Sequence, residues 1–339
     1  MSKKWLATVV AALMAISILA GCSSKSSSGG FKVGMSTDIG GLNDNSFNAA
    51  AWRGLQRAEK ELKAEVKPIE SKRAEDYDVN FRTLMDAKYD LIWGIGFMMH
   101  DAVANAAKAN PNQKFAIIDS EVTGASNVAS VLFKEQEGSF LEGIIAAKTT
   151  KTNVVGVVGG MEGDVIGRFE AGFRAGVKAV NPNIKVIVVY SGSFIDPVKG
   201  KTDALSIYSQ NADVVFHAAG ATGSGVIEAA KEQNKWVIGV DSDQKSLAPN
   251  NVISSMMKRV DNAVFDVSKL AKDGKFPGGK TTVLGLKENG VGYSDTTMWD
   301  KMPSDTKKLA DKWADAIKSG KVTVPTAPKD VPNWTVPQI

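Results

Sequence analysis

The 339-residue chain has little of the chemistry on which most catalytic and metal sites depend, because it contains one cysteine and two histidines. A single cysteine excludes a disulfide within the chain, and the lack of a cysteine and histidine cluster argues against a zinc site. Neither His100 nor His217 stands in a pattern with serine and aspartate that predicts nucleophilic catalysis. We therefore expect a protein that is not an enzyme and that carries no cofactor and no metal.

Neither basic nor acidic residues are clustered in any one part of the chain. The formal net charge is +4, and lysine and arginine are interleaved with aspartate and glutamate. Nucleic-acid binding requires a basic patch or stripe on one face of the protein. The sequence therefore does not predict nucleic acid as a partner.

Long hydrophobic runs are absent except at the beginning of the chain. Residues 5–20 are uncharged and mostly apolar, and they follow Lys3 and Lys4. This order is typical of a secretory signal peptide, and the run is shorter than the ~20 residues that a membrane-spanning helix needs. We therefore exclude residues 1–21 from the fold and expect a soluble body after them.

The apolar run ends in Leu19-Ala20-Gly21-Cys22, which matches the lipobox of bacterial lipoproteins at every position. The thiol of Cys22 is expected to take a diacylglyceryl group. Each buried CH₂ contributes roughly 0.8 kcal/mol, so two or three acyl chains such as palmitate anchor a protein stably. Residues 22–30, rich in serine and glycine, are then the lipidated cysteine and a flexible tether on the extracytoplasmic side of the cell membrane. The alternative is an uncleaved anchor with an incidental cysteine.

From residue 31 onward, short β-branched runs alternate with longer amphipathic segments. This alternation predicts an α/β fold with parallel sheets and helices on both faces. The pattern restarts near residue 150, and the body is longer than one hydrophobic core usually serves. We therefore predict two lobes joined by a hinge. The N-terminal lobe is assigned to residues 31–149, completed by about 255–285, and the C-terminal lobe to residues 150–254, completed by about 286–339.

In open parallel sheets, ligands bind beyond the carboxyl ends of the strands, so the residues that follow each predicted strand are candidates for a site. The loop after the first strand is dense in polar residues and has one large aromatic residue. Its candidates are Asp38, Asn43, Asp44, Phe47 and Asn48. Ordinary turn chemistry and a helix N-cap would explain the same residues.

Two further predicted strands each end in an aspartate, Asp119 in the first series and Asp241 in the second. A carboxylate that accepts O–H or N–H donors in a desolvated cleft makes strong hydrogen bonds, although a helix cap is the alternative for each. Other candidates at strand ends or helix starts are Phe169, Phe194, Gly220 and Lys258.

These residues lie in stretches that carry a family resemblance, namely 38–48 (DIGGLNDNSFN), 168–173 (RFEAGF), 192–196 (GSFID) and 238–241 (IGVD). Together with the lipobox, they resemble the BMP (basic membrane protein) family of bacterial lipoproteins, which includes a purine nucleoside receptor. The resemblance runs from residue 31 to about residue 295. It implies two Rossmann-like lobes in the type I periplasmic-binding-protein fold, which close on a ligand like a Venus flytrap.

The resemblance also implies a function and roles for single residues. A nucleoside, with a purine as the expected base, would be held between the lobes of a monomer and delivered to the permease subunits of an ABC importer. Phe47 and Phe194 would enclose the base, and Asp119 would accept donors from its edge. Asp241 and Lys258 would hold ribose hydroxyls. Gly220 would give a backbone contact.

Two other functions remain open at this point. Residues 37–41 are similar to the calcium motif of nucleoside hydrolases, but Ser36 stands where that motif begins with aspartate, and the adjacent aspartate pair is missing. A sugar-binding or sensory receptor lipoprotein without a role in transport has the same sequence features.

Overall fold

Twelve β-strands and nine α-helices alternate along residues 30–339, which are the residues that the computed structural model describes. The strands are β1 (Lys32–Ser36), β2 (Glu65–Ile69), β3 (Leu91–Ile95), β4 (Lys114–Ile118), β5 (Val128–Phe133), β6 (Val154–Gly159), β7 (Lys185–Tyr190), β8 (Val214–Ala218), β9 (Trp236–Asp241), β10 (Val252–Lys258), β11 (Thr281–Leu284) and β12 (Val291–Tyr293). The helices are α1 (Phe47–Leu62), α2 (Asp76–Asp86), α3 (His100–Ala109), α4 (Glu135–Thr149), α5 (Asp164–Val180), α6 (Pro197–Ser209), α7 (Thr222–Glu232), α8 (Val260–Lys272) and α9 (Thr306–Lys318).

The strands form two six-stranded sheets with matching strand orders. The first sheet has the order β11-β5-β4-β3-β1-β2, and the second has the order β12-β10-β9-β8-β6-β7. All neighbours are parallel except β10 and β12. Strands β3, β8 and β10 are buried along their whole length, as strands covered by helices on both faces must be. The predicted architecture of two parallel α/β sheets is confirmed.

The chain crosses between the sheets at three places: between β5 and α4, between β10 and α8, and between β11 and β12. Helix α4, which the sequence analysis assigned to the first lobe, packs against α5 and against β10 and β12 of the second sheet. Glycines make this close packing possible. A Cβ on Gly143 would lie 2.2 Å from the Phe173 carbonyl oxygen, and one on Gly176 would lie 2.0 Å from that of Phe140.

The three crossings are bonded to one another. The Lys134 N–H donates to the Leu284 carbonyl at 3.0 Å, and the Arg259 N–H donates to the Gly290 carbonyl at 2.8 Å. Each crossing is therefore tied to a neighbour near the ends of the strands. None of the helices described for residues 30–339 combines the length and apolar character that a membrane span requires.

Candidate functional site

A cavity lies between the two sheets at the carboxyl ends of their strands. It holds about 550 Å³ of empty space with its open mouth included, within the roughly 300–1,000 Å³ typical of small-molecule sites. Its walls come from the ends of seven strands or the loops that follow them, in both sheets, and from the first two turns of α1 and α5. The cavity therefore occupies the edge of the sheets at which parallel α/β proteins bind ligands.

All of the residues proposed from the sequence for the ligand, except one, line this cavity. They are Asp38, Asp44, Phe47, Asn48, Asp119, Phe169, Phe194, Gly220, Asp241 and Lys258. The exception is Asn43, which is exposed. The adjacent Asp44 turns inward to accept the N–H groups of Asn48 and Ala49 at the start of α1, and Asn43 points outward. The proposed lipidation residue Cys22 lies outside the residues that the structure describes.

Asp119 and Asp241 occupy equivalent places, at the ends of β4 and β9. Both have left-handed backbone conformations, with φ angles of 64° and 63°, which are uncommon for residues other than glycine and cluster at functional sites. Both are buried, with exposed fractions of 6% and 7%. Burial raises the pKa of Asp241 to about 7. Burial also raises the pKa of Asp119, although Lys258 partly offsets this.

Lys258 brings a buried positive charge to the same cavity. Its Nζ lies 2.6 Å from Asp119 Oδ2 and 2.9 Å from Glu135 Oε1. It also lies 5.1–5.5 Å from the centres of the Phe47, Phe133 and Phe169 rings, within the range of cation–π attraction. Burial alone would lower the pKa of Lys258, but Asp119, Glu135 and Asp241 raise it above its usual value.

Two oxygen atoms in the cavity lack partners. Within residues 30–339, Asp119 Oδ1 and Asn48 Oδ1 are buried and accept no hydrogen bond. Asn48 Nδ2 is satisfied, because it donates to Asp38 Oδ1 at 2.7 Å. A buried acceptor without a donor costs about 1–3 kcal/mol. The cavity is therefore suited to a ligand with N–H or O–H groups.

Aromatic rings form the apolar part of the walls. Phe47 and Phe97 come from the first-sheet side, and Phe169 and Phe194 come from the second-sheet side. Phe97 and Phe194 meet edge to face with ring centres 6.2 Å apart. A Cβ on Gly160 would lie 2.2 Å from the Phe194 ring, so only glycine permits the ring to take this place. The rings offer flat surfaces for an unsaturated ligand.

Hydrogen bonds also join the two sides of the cleft directly, through a group of residues that we call the clasp. The clasp consists of Asn45, Ser46, Arg53, Asp241, Ser242 and Gln244. Ser46 Oγ donates to Asp241 Oδ2, and Arg53 Nη2 donates to Ser242 Oγ at 2.6 Å. Gln244 Nε2 donates to the Asn45 carbonyl at 3.1 Å. Gln244 is itself held by the buried His217, whose Nε2 lies 2.9 Å from Gln244 Oε1.

Several residues of the site were not predicted from the sequence. Gly96 and Phe97 line the cavity directly after β3, and the strand-end rule that selected Asp119 would also have selected them. Glu135 lies behind the cavity wall, where an acidic residue at a helix start gave no special signal. Within residues 30–339, no three histidine, cysteine, aspartate or glutamate residues are grouped as metal ligands.

The chain is similar in sequence to one known protein family over most of its length. The sequence profile described as "ABC transporter substrate-binding protein PnrA-like" matches residues 31–326. A CD4+ T-cell-stimulating antigen of Listeria monocytogenes is 41% identical and is aligned over 97% of this chain and 100% of its own length. The ABC transporter nucleoside-binding protein BmpA of Lactococcus lactis is 40% identical, with 96% of this chain and 100% of that protein covered.

A solved structure is similar over almost the same region. The ABC transporter system solute-binding protein from Aeropyrum pernix K1 superimposes with a TM-score of 0.82 at 30% sequence identity. The match covers 89% of this chain and 96% of that one. The predicted type I periplasmic-binding-protein fold is confirmed.

Proposed function

The chain belongs to the PnrA-like family of ABC transporter substrate-binding proteins, and we propose that it captures a nucleoside between its two lobes and delivers it to an ABC permease. The expected base is a purine. The protein binds its ligand without converting it, and it acts as a monomer. A lipid on Cys22 holds it at the extracytoplasmic face of the cell membrane.

One observation carries this proposal: acidic and aromatic side chains from both sheets meet in a single cavity. Phe47 and Phe194 stand on opposite sides of it, and stacking on a base contributes about 1–3 kcal/mol per base. The unpartnered Asp119 Oδ1 would accept an N–H group from the edge of the base. Asp241 and Lys258 would bind the ribose hydroxyls. The Lactococcus lactis relative is itself described as nucleoside-binding, which supports this class of ligand.

Calorimetry with purified protein tests the proposal. Adenosine, guanosine, inosine, cytidine, uridine and ribose are titrated separately into the ligand-free protein. We expect purine nucleosides to bind with micromolar or lower dissociation constants and ribose to bind at least about 100-fold more weakly, because ribose has no base to stack. Ribose binding as tight as that of any nucleoside would instead indicate a sugar receptor.

Two further measurements separate transport from the alternatives. Loss of nucleoside uptake on deletion of the gene would support delivery to an importer, whereas unchanged uptake would favour a sensory receptor. Incubation of a pure nucleoside with the protein should release no free base. Release of base would show that the protein is a hydrolase.

A further inference from the structure

The Lys258 ammonium has an unusual position for a lysine, because its side chain is only 2% exposed. It stands at the end of β10, beside the crossing that leads to α8 and at the wall of the cavity. An ammonium has three N–H donors. Lys258 Nζ donates a hydrogen bond to Asp119 Oδ2 and forms an ion pair with Glu135 Oε1, which leaves at least one N–H donor for a ligand.

Glu135 lies behind Lys258 rather than in the cavity lining. It is 0% exposed and is the first residue of α4, directly after the crossing from β5. Its Oε2 accepts from Arg168 Nε at 2.5 Å, while its Oε1 faces Lys258. The positive end of the α4 dipole also favours a carboxylate at this place.

The four groups form a balanced chain of charges in the order Arg168, Glu135, Lys258 and Asp119. Asp241 adds a further negative charge toward Lys258, and Asp164 adds one toward Arg168. Without the Glu135 charge, the buried Lys258 ammonium and the partly buried Arg168 guanidinium would lose the carboxylate that lies between them. Leaving a buried charge uncompensated is strongly unfavourable. Lys258 would then lose its proton more easily and would no longer be held between two carboxylates.

We propose that Glu135 and Arg168 are positioning residues for the binding site: they hold the Lys258 ammonium at the cavity wall with one donor directed to a hydroxyl group of the ligand. Neither residue needs to touch the ligand. The inference rests on the proposed function, since it assigns to Lys258 a nucleoside with a hydroxylated sugar. It also predicts that Glu135 and Arg168 set selectivity for those hydroxyls.

The test compares Glu135→Gln with Glu142→Gln, a matched control two helical turns farther along α4. Glu142 is equally buried, but burial raises its pKa to about 8, and among residues 30–339 it accepts a hydrogen bond from Ser254 alone. The control therefore replaces a carboxyl group that is neutral at pH 7 with a neutral amide. Each protein is titrated by calorimetry with the tightest-binding nucleoside and with its 2′,3′-dideoxy analogue.

Glu135→Gln is expected to lower nucleoside affinity by about 10- to 100-fold, the range for losing a hydrogen bond to a charged group. The affinity for the dideoxy analogue should change by less than about 3-fold, and Glu142→Gln should change neither. Glu135→Asp, which keeps the charge, should restore much of the preference for the hydroxylated ligand. Equal losses for both ligands, or no loss, would overturn the proposal, because a merely structural role predicts no selectivity.

A second readout does not depend on any ligand. In protein labelled with ¹⁵N-lysine, the Lys258 ammonium signal is assigned by its absence in Lys258→Arg. In the natural protein the pKa of Lys258 should lie above the ordinary lysine value, and the ammonium should titrate at lower pH in Glu135→Gln. An unchanged titration would overturn the positioning role. If the natural protein binds no nucleoside, the proposed function fails, and the Lys258 titration still decides this inference.

Discussion

Ser46, directly before helix α1, donates a hydrogen bond to the carboxylate of Asp241 at the end of β9. The bond links the first-sheet side of the cleft to the second-sheet side. The clasp has two further hydrogen bonds between the same walls, from Arg53 to Ser242 and from Gln244 to the Asn45 carbonyl, so protein groups join the two walls directly. These hydrogen bonds therefore stabilise the closed cleft separately from the contacts that a ligand would make. Their contribution to the stability of the closed form can be measured.

Removing a clasp hydroxyl should shorten the lifetime of the complex. Ser242→Ala deletes the acceptor for Arg53 and a donor to the Ser46 carbonyl. Each such bond contributes about 0.5–1.5 kcal/mol, so we expect the loss of two to accelerate ligand dissociation by about 5- to 150-fold with little change in association. Stopped-flow kinetics would measure both rates.

The control for this experiment is Ser224→Ala, because the Ser224 hydroxyl donates to the Ala221 carbonyl on the same side of the cleft. Its dissociation rate should match that of the natural protein. A slower association rate with unchanged dissociation in Ser242→Ala would contradict a role of the clasp in holding the closed form.

Much of the fold follows from periodicity alone. Strand β10 and helix α5 are examples, because apolar runs and long amphipathic repeats are strong local signals. Strand β12 carries no such local signal. It has three residues, one of them glycine, and it exists through antiparallel pairing with β10, which no local pattern encodes. The packing of α4 against α5 depends on a similar long-range fit between glycine-bearing faces.

The part of the site that is formed by residues at the ends of strands was predictable from the sequence. Asp119 and Asp241 follow apolar runs in matching places, so topology brings them to one edge. Their left-handed conformations, the clasp and the Glu135 to Lys258 contact are tertiary properties. Nothing local distinguishes Glu135 from an ordinary acidic residue in the first turn of a helix.

Phe194 and Phe173 should respond differently to truncation. Phe194 is half-buried in the cavity wall, whereas Phe173 is fully buried and stacks on Phe216 with ring centres 5.2 Å apart. Phe194→Ala should weaken nucleoside binding by about 5- to 150-fold through lost stacking, with little loss of stability. Phe173→Ala should instead lower the free energy of unfolding by about 3–5 kcal/mol. Calorimetry and urea unfolding measure the two effects. Unchanged nucleoside affinity in Phe194→Ala would show that the Phe194 ring does not contribute to ligand binding.

Stability of the ligand-free protein should decrease as pH rises above about 5. Burial raises the pKa of Asp38 to about 6, of Asp241 to about 7 and of Glu142 to about 8, from ordinary values of 3.8 and 4.5. Over this window, the folded protein keeps protons that the unfolded chain has released. Their stabilising effect is complete below the unfolded pKa values and is lost as pH rises through the folded ones.

Glu142→Gln isolates one part of this dependence. The variant should show a smaller fall in unfolding temperature than the natural protein between about pH 5 and pH 9, because its amide does not titrate. Scanning calorimetry at several pH values gives the comparison. An unfolding temperature that rises across this range in the natural protein would contradict the raised pKa values.

The proposed lipid anchor leads to a prediction that does not depend on ligand binding in the cleft. Cys22→Ala should move the protein from the membrane fraction to the soluble fraction, because the thiol that would carry the acyl chains is gone. Nucleoside affinity of the body should not change. Fractionation followed by immunoblotting measures the distribution. Retention of the variant in membranes would favour an uncleaved N-terminal anchor.

The central claim is that residues from both sheets bind one nucleoside at the same time. Calorimetry of the tightest-binding nucleoside with the natural protein, Asp119→Ala and Asp241→Ala tests it most directly. We predict that each substitution alone weakens binding by at least about 10-fold, since each removes a buried acceptor from one side of the ligand. Unchanged affinity in either variant, with the fold intact, would contradict a ligand held between the two lobes.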